Sequence, residues 1–123
     1  MPSIYSHIFY EKNNQWLKER ERQFGELLDK NWYDGFRRAA KSAHNLNITK
    51  ELHKIDIPTL IISSDLDTIT PVEYQEIIFK NIPNAKWILI KNAGHASMYE
   101  KPYEFISILM GFLKTIEYEI RII

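Results

Sequence analysis

The spacing of apolar side chains predicts two helices in the first third of the chain. Over residues 13–30, apolar residues recur at helical spacing, although the pattern lapses between them. A second helix is predicted over residues 32–44, where Gly35 weakens the pattern. The residues that we expect on its inward face are Trp32, Phe36, Ala39, Ala40 and Ala43. A break follows at residues 45–47, and Thr49 is expected to cap a short turn carrying Leu52.

The pattern changes after residue 56, where a short and almost continuous apolar run covers residues 57–63. Such a run is typical of a strand that is buried on both faces of a parallel sheet. Thr70, Pro71 and Glu73 then form a strong helix start, with Thr70 as cap, Pro71 in the first turn and Glu73 completing a capping box. This helix is predicted to end near Lys80, ahead of Pro83.

A second strand is predicted over residues 86–91, and a polar loop over residues 92–95 follows it. The last helix follows Pro102 and carries a wide apolar stripe. The residues of that stripe are Phe105, Ile106, Leu109, Phe112, Leu113 and Ile116. Strand, helix, strand and helix at this spacing predict the α/β class, with two parallel strands joined by a crossover helix and one further packing helix.

Composition excludes several classes of partner and chemistry. The formal net charge is zero and the alternating charges of residues 18–22 predict a solvated helix face, so neither nucleic acid nor an anionic membrane is an expected partner. The absence of cysteine excludes disulfides and thiolate chemistry and is compatible with the cytoplasm. With no apolar run of about 18 residues and no secretory pattern at the start, a cytoplasmic protein is expected.

The candidate chemistry lies in the two polar loops that leave the predicted strands. One loop carries Asp65 and Asp67, and the other carries His95. Because ligands gather at the carboxyl ends of parallel strands, these side chains are expected to lie together, where a carboxylate can orient an imidazole and stabilise its protonated form. Taken singly, Asp67 also fits a turn or cap residue, and His95 fits a hydrogen-bonded loop histidine. His7, His44 and His53 lack metal-site spacing, so neither a metal nor a cofactor is expected.

The stretch from Leu52 to Leu113 resembles the last two strand–helix units of the α/β-hydrolase fold. Residues 55–62 resemble strand seven of that family and its approach, and residues 64–67 resemble its Gly-x-x-Asp loop, although Ser64 stands where the family often has glycine. The remaining matches, in order, are Pro71 at the usual offset, Gly94–His95 after strand eight, and a Glu-x-Pro-x-x-Phe pattern at Glu100, Pro102 and Phe105.

The resemblance implies that Asp67 is the acid and His95 the general base of a catalytic triad, with Asp65 as the competing acid. It implies a serine hydrolase that cleaves an ester, thioester or amide of a small acyl substrate, although some members use an aspartate nucleophile. Residues 1–46 match less well. They resemble the last part of a helical lid, or are plain amphipathic core helices, while residues 47–123 correspond to the C-terminal part of the hydrolase core.

The nucleophile is missing from the sequence. A hydrolase serine lies on a Gly-x-Ser-x-Gly turn between strand and helix, and none of the four glycines forms such a motif. Ser97, two residues after His95, resembles no nucleophile position. We therefore expect a truncated hydrolase that is inactive alone, partnered by the missing N-terminal half or by another copy of itself. A non-catalytic binding or oligomerisation module derived from a hydrolase is the alternative.

Overall fold

A computed structural model describes the backbone of residues 4–121 and the side chains of residues 4–117, so parts of both predicted domains lie outside the described residues. Three helices come first, followed by a 3₁₀ turn and then by alternating strands and helices. The elements are α1 (His7–Lys12), α2 (Asn14–Leu27), α3 (Lys30–Ala43), the turn Thr49–Lys54, β1 (Thr59–Ser64), α4 (Val72–Asn81), β2 (Ala85–Ile90), α5 (Ser97–Glu100) and α6 (Pro102–Arg121).

The two strands form a parallel pair, as the sequence predicts. Their register runs from Thr59 opposite Ala85 to Ser64 opposite Ile90, and α4 makes the connection between them. β1 begins two residues later than predicted, after Pro58, which has no N–H to donate to a sheet. The parallel pair, the crossover helix and the C-terminal helices agree with the α/β class that the sequence predicts.

Strand β1, which the sequence predicts to be buried on both faces, is only partly buried at residues 59–62 and fully buried at Ser63 and Ser64. Within β2 only Ile90 is buried, while Ile88 and Leu89 are exposed. Half of the apolar stripe on α6, including Ile106 and Leu113, is exposed as well. Two strands and a few helices are too small to cover these apolar side chains, which a wider sheet with more helices would bury.

The prediction that one face of α3 points into the core is wrong, because none of the residues of this helix is buried. Trp32 and Phe36 are exposed and stack on each other, with ring centroids 5.3 Å apart. Helical spacing places apolar side chains on one face, but burial needs a second surface opposite that face. The charged run of α2 is solvated as predicted, and Arg22 pairs with Glu19 and Glu26.

Both predicted side-chain caps are wrong. Helix α4 has Pro71 at its cap position and no side-chain cap, and the Thr70 hydroxyl donates to Asp67. The 3₁₀ turn begins at Thr49 itself, whose backbone N–H donates to the side chain of Asn47. Leu52 is buried in that turn. In both places the threonine makes a hydrogen bond other than the helix cap that the local spacing predicts.

The N-terminal helices are held against the segment that follows β2. Leu17 of α2, only 2% exposed, packs in a buried cluster with Tyr5 and Ala96. The backbone N–H of Ala96 also donates to the carbonyl of Ile4 at 3.0 Å. Among the described helices, none has the length and apolar character needed to cross a membrane. The division of the chain at residue 46 stays a prediction.

Candidate active site

The loops that leave β1 and β2 are joined by hydrogen bonds at the carboxyl edge of the sheet. The N–H of Asp65 donates to the carbonyl of Ile90 at 3.2 Å, and that of Leu66 donates to the carbonyl of Ala93 at 3.0 Å. Asn92 turns the second loop with a φ of 56°, a left-handed conformation that asparagine tolerates. This crossing of the loops brings the predicted acid and histidine to one place.

The predicted contact between Asp67 and His95 is present. Nδ1 of His95 lies 3.0 Å from Oδ2 of Asp67, and the side chains are 42% and 5% exposed, respectively. An ionised carboxylate can only accept hydrogen bonds, so the contact assigns the imidazole proton to Nδ1. That tautomer leaves Nε2 of the exposed ring with a free lone pair, as a general base requires.

The carboxylate of Asp67 is saturated with hydrogen bonds. Oδ1 accepts from the backbone N–H groups of Ile69 and Thr70, each at 2.9 Å, and Oδ2 accepts from the Thr70 hydroxyl at 2.7 Å as well as from His95. Burial raises the pKa of the Asp67 carboxyl, but the hydrogen bonds from Thr70, His95 and Ile69 outweigh burial and lower that pKa. Asp67 is therefore ionised at neutral pH.

Asp65, the competing acid, has a different position. Its side chain reaches the backbone N–H of Ala93, with Oδ1 and the nitrogen 3.4 Å apart, and so links the two loops. The structure therefore brings Asp67 and His95 together and does not pair Asp65 with the imidazole. Ser97 is buried at the start of α5. The catalytic roles of Asp67 and His95 stay predictions.

Glu100 connects the N-terminal segment to the loop that carries His95. The sequence identified Glu100 only as part of the Glu-x-Pro-x-x-Phe pattern. Its Oε1 accepts from the N–H groups of Ser6 and Gly94, at 2.8 and 3.0 Å, and its Oε2 accepts from the Ser6 hydroxyl. Ser6 in turn caps α1 by accepting from the N–H of Phe9. The N-terminal segment is thereby tied to the residue that precedes His95. The sequence offers one local signal, since a serine such as Ser6 is a common helix cap. Nothing near Ser6 in the chain indicates that Glu100 is its partner.

A cavity of about 510 Å³ lies between this N-terminal segment and the loop that carries the acid. The loop contributes residues 65–68, and Tyr5 and Tyr10 are among the residues on the opposite wall. His7 and Glu11 also line the cavity. Among the described residues, no three histidine, aspartate or glutamate side chains gather as a metal site.

Comparison with known proteins agrees with the geometry. Residues 5–102 match the family model of the alpha/beta hydrolase fold, a range that contains both Asp67 and His95. The proline iminopeptidase of Lacticaseibacillus rhamnosus is 35% identical over 69 residues, which are 56% of this chain and 23% of that protein. The pimeloyl-[acyl-carrier protein] methyl ester esterase of Wigglesworthia glossinidia brevipalpis is 34% identical over 105 residues, which are 84% of this chain and 40% of that protein.

A solved structure extends the likeness to three dimensions. MGS-M2, an alpha/beta hydrolase enzyme from a Medee basin deep-sea metagenome library, superposes with a TM-score of 0.85 at 38% identity. The superposition covers 92% of this chain and 42% of MGS-M2, so the chain spans less than half the length of these relatives. Since the family model covers most of the chain and the same fold is found in this solved enzyme, the chain belongs to the α/β-hydrolase fold family.

Proposed function

We propose that this chain supplies the acid and the general base of a hydrolase that cleaves small acyl compounds. Asp67 holds the imidazole of His95 in one tautomer, and Nε2 of His95 takes the proton of a nucleophile and later returns it to the leaving group. The contact of 3.0 Å between Nδ1 and Oδ2, on an ionised and nearly buried carboxylate, is the observation that carries this proposal. The esterase and peptidase names of the relatives support hydrolysis of an ester, thioester or amide.

The nucleophile is proposed to come from polypeptide outside these 123 residues. No serine of the sequence lies in a Gly-x-Ser-x-Gly motif, and the chain corresponds to only 42% of MGS-M2. The described structure pairs β1 with β2 alone, which leaves the other edge of β1 available for a further strand. The complete site is then formed when a nucleophile-bearing half of the fold packs beside β1.

Activity of the chain by itself is the first test. The purified 123-residue protein is expected neither to hydrolyse activated esters nor to react with a serine-directed fluorophosphonate, because it has no serine on a nucleophile turn. Stoichiometric labelling of one serine, together with loss of hydrolysis when that serine is replaced, would contradict this expectation.

A chimera tests the roles of the acid and the base. The part of MGS-M2 that this chain does not cover, fused to this chain, would provide the missing half of the fold. We expect His95→Ala to remove most of the esterase activity and Asp67→Asn to lower it about 10⁴-fold. Asp65→Asn is the matched control and should have a far smaller effect, since Asp65 contacts the backbone of Ala93. Tolerance of Asp67→Asn with failure of Asp65→Asn would reverse the assignment.

Self-association without chemistry is the second candidate function. The exposed aromatic face of α3 and the free edge of β1 favour it, because both are surfaces that proteins usually cover. Sedimentation at micromolar concentration is expected to detect dimers or larger species. A chain that sediments as a monomer and unfolds cooperatively in a denaturation experiment would rule this candidate out. It would leave the hydrolase proposal unaffected.

A further inference from the structure

A continuous series of hydrogen bonds leads from the sheet to the acid of the candidate site. The indole nitrogen of Trp87 on β2 lies 2.6 Å from the hydroxyl of Ser63 on β1, which lies 2.5 Å from Oε1 of Gln75 on α4. Nε2 of Gln75 lies 2.7 Å from the carbonyl oxygen of Thr70. The hydroxyl of Thr70 then contacts Oδ2 of Asp67 at 2.7 Å. The series therefore connects the two strands, helix α4 and the loop that carries Asp67.

The chemistry of the groups determines which atom donates at each step. An indole N–H can only donate, so the Ser63 oxygen accepts from Trp87 and the Ser63 hydroxyl proton is left for the amide oxygen of Gln75. The amide nitrogen of Gln75 is a donor and faces the carbonyl of Thr70. At the far end the ionised carboxylate of Asp67 can only accept, so Thr70 donates. The direction of each hydrogen bond in the series is thus fixed, which favours a single arrangement.

Thr70 makes three contacts with the candidate pair. Its backbone N–H donates to Oδ1 of Asp67 and its hydroxyl donates to Oδ2, so the two carboxylate oxygens are held from the same residue. The same hydroxyl oxygen lies 3.3 Å from Nδ1 of His95. These contacts fix the plane of the carboxylate against the imidazole.

We propose that Thr70 is a positioning residue for Asp67 and His95, and that Gln75, Ser63 and Trp87 keep Thr70 in place. The anchored end of the series is rigid, because Ser63 is buried and Trp87 packs on Phe79 with ring centroids 5.6 Å apart. The proposal rests on the proposed function of the pair. It requires no nucleophile, so its test succeeds or fails independently of hydrolysis.

The pKa of the Asp67 carboxyl and the tautomer of His95 are the two readouts, because the Thr70 hydroxyl stabilises the charged carboxylate that in turn orients the imidazole. The full chain, labelled with ¹³C and ¹⁵N, is titrated by NMR in the association state in which it purifies. Thr70→Val and Thr70→Ala both remove the hydroxyl, and each is expected to raise the pKa of the Asp67 carboxyl, with about a tenfold gain in proton affinity. Thr70→Ser keeps the hydroxyl and should restore the starting behaviour.

Thr115→Val is the matched control, since Thr115 donates only to a carbonyl of its own helix α6 and should leave Asp67 unchanged. The ¹⁵N shifts of His95 report the tautomer, and the Nδ1-protonated form is expected to lose population when Thr70 lacks its hydroxyl. An unchanged pKa of Asp67 in folded Thr70→Val and Thr70→Ala, or failure of Thr70→Ser to restore it, would overturn the role of Thr70.

A double substitution tests whether Gln75 acts through Thr70. Gln75→Leu alone should also raise the pKa of Asp67, but by less than Thr70→Val. Thr70 then keeps its hydroxyl and loses only the hydrogen bond from Gln75 to its carbonyl. Combined with Thr70→Val, Gln75→Leu should add nothing further. A full additional rise in the double variant, or no effect of Gln75→Leu alone, would overturn the part of the proposal that assigns Gln75 to holding Thr70.

Discussion

Gly94 and Ser6 pack backbone against backbone. A β-carbon built on Gly94 would lie 2.5 Å from the amide nitrogen of Ser6 and 2.7 Å from the carbonyl carbon of Tyr5, closer than side chains approach in proteins. None of the described glycines has a positive φ, so glycine is needed at position 94 for space and not for an unusual conformation. The residue before His95 is therefore in direct contact with the N-terminal segment.

Gly94→Ala is expected to destabilise the protein by about 1–3 kcal/mol, because the new methyl group must push the segment at Ser6 away from the loop. Gly111→Ala is the matched control, because among the described residues no atom outside the neighbouring backbone of α6 lies within 4 Å of a β-carbon built there. The control should gain about 0.5–1 kcal/mol through helix propensity. Urea denaturation measures both free energies of unfolding, and equal stability of the two variants would contradict the close approach.

Glu100→Ala should loosen the junction between the N-terminal segment and the His95 loop. The backbone N–H groups of Ser6 and Gly94 both lose a charged acceptor, so their amide hydrogen exchange is expected to accelerate about tenfold or more. Glu104→Ala replaces an exposed glutamate in the first turn of α6 and should leave both exchange rates unchanged. Unchanged protection of Gly94 in Glu100→Ala would show that the carboxylate does not hold the loop.

Leu17→Ala should test how firmly α2 is anchored. This side chain is 2% exposed and packs with Tyr5 and Ala96, so the cavity is expected to cost about 2–5 kcal/mol in the free energy of unfolding. Leu27, at the other end of the same helix, is 76% exposed, and Leu27→Ala should cost less than about 0.5 kcal/mol. Similar losses from the two variants would mean that the N-terminal helices do not pack on the His95 segment.

The lowered pKa of Asp67 predicts a pH dependence of stability. A carboxyl whose pKa is lower in the folded than in the unfolded chain stabilises the fold above the ordinary value of about 4, and this contribution is lost as the pH falls through the lowered value. Stability should therefore decrease on acidification below about pH 4, as followed by denaturation at several pH values. Asp67→Asn should remove that part of the decrease, whereas Asp65→Asn should retain it.

Much of the site could be predicted because it depends on local order along the chain. Two apolar runs with a helix between them specify neighbouring parallel strands, and parallel strands place the loops after Ser64 and Ile90 at one edge. The choice of Asp67 over Asp65 came from the resemblance to the hydrolase family, in which the acid stands at this offset from the proline that Pro71 matches. The contacts of Thr70 were not predicted, because the spacing of Thr70, Pro71 and Glu73 fits a helix cap equally well.

The sequence by itself determined the two strands, the longer helices and the parallel pairing, since side-chain periodicity and strand order are consequences of backbone geometry. Its resemblance to the hydrolase family singled out Asp67 and His95, whereas the short helices α1 and α5 were not predicted. Only the tertiary structure decided that the Thr70 hydroxyl faces a carboxylate, that Glu100 binds Ser6, and that the aromatic face of α3 is exposed. These outcomes depend on which surfaces meet. A hydrogen bond between residues 94 positions apart, or an apolar face without a neighbour, leaves no periodic signal in the chain.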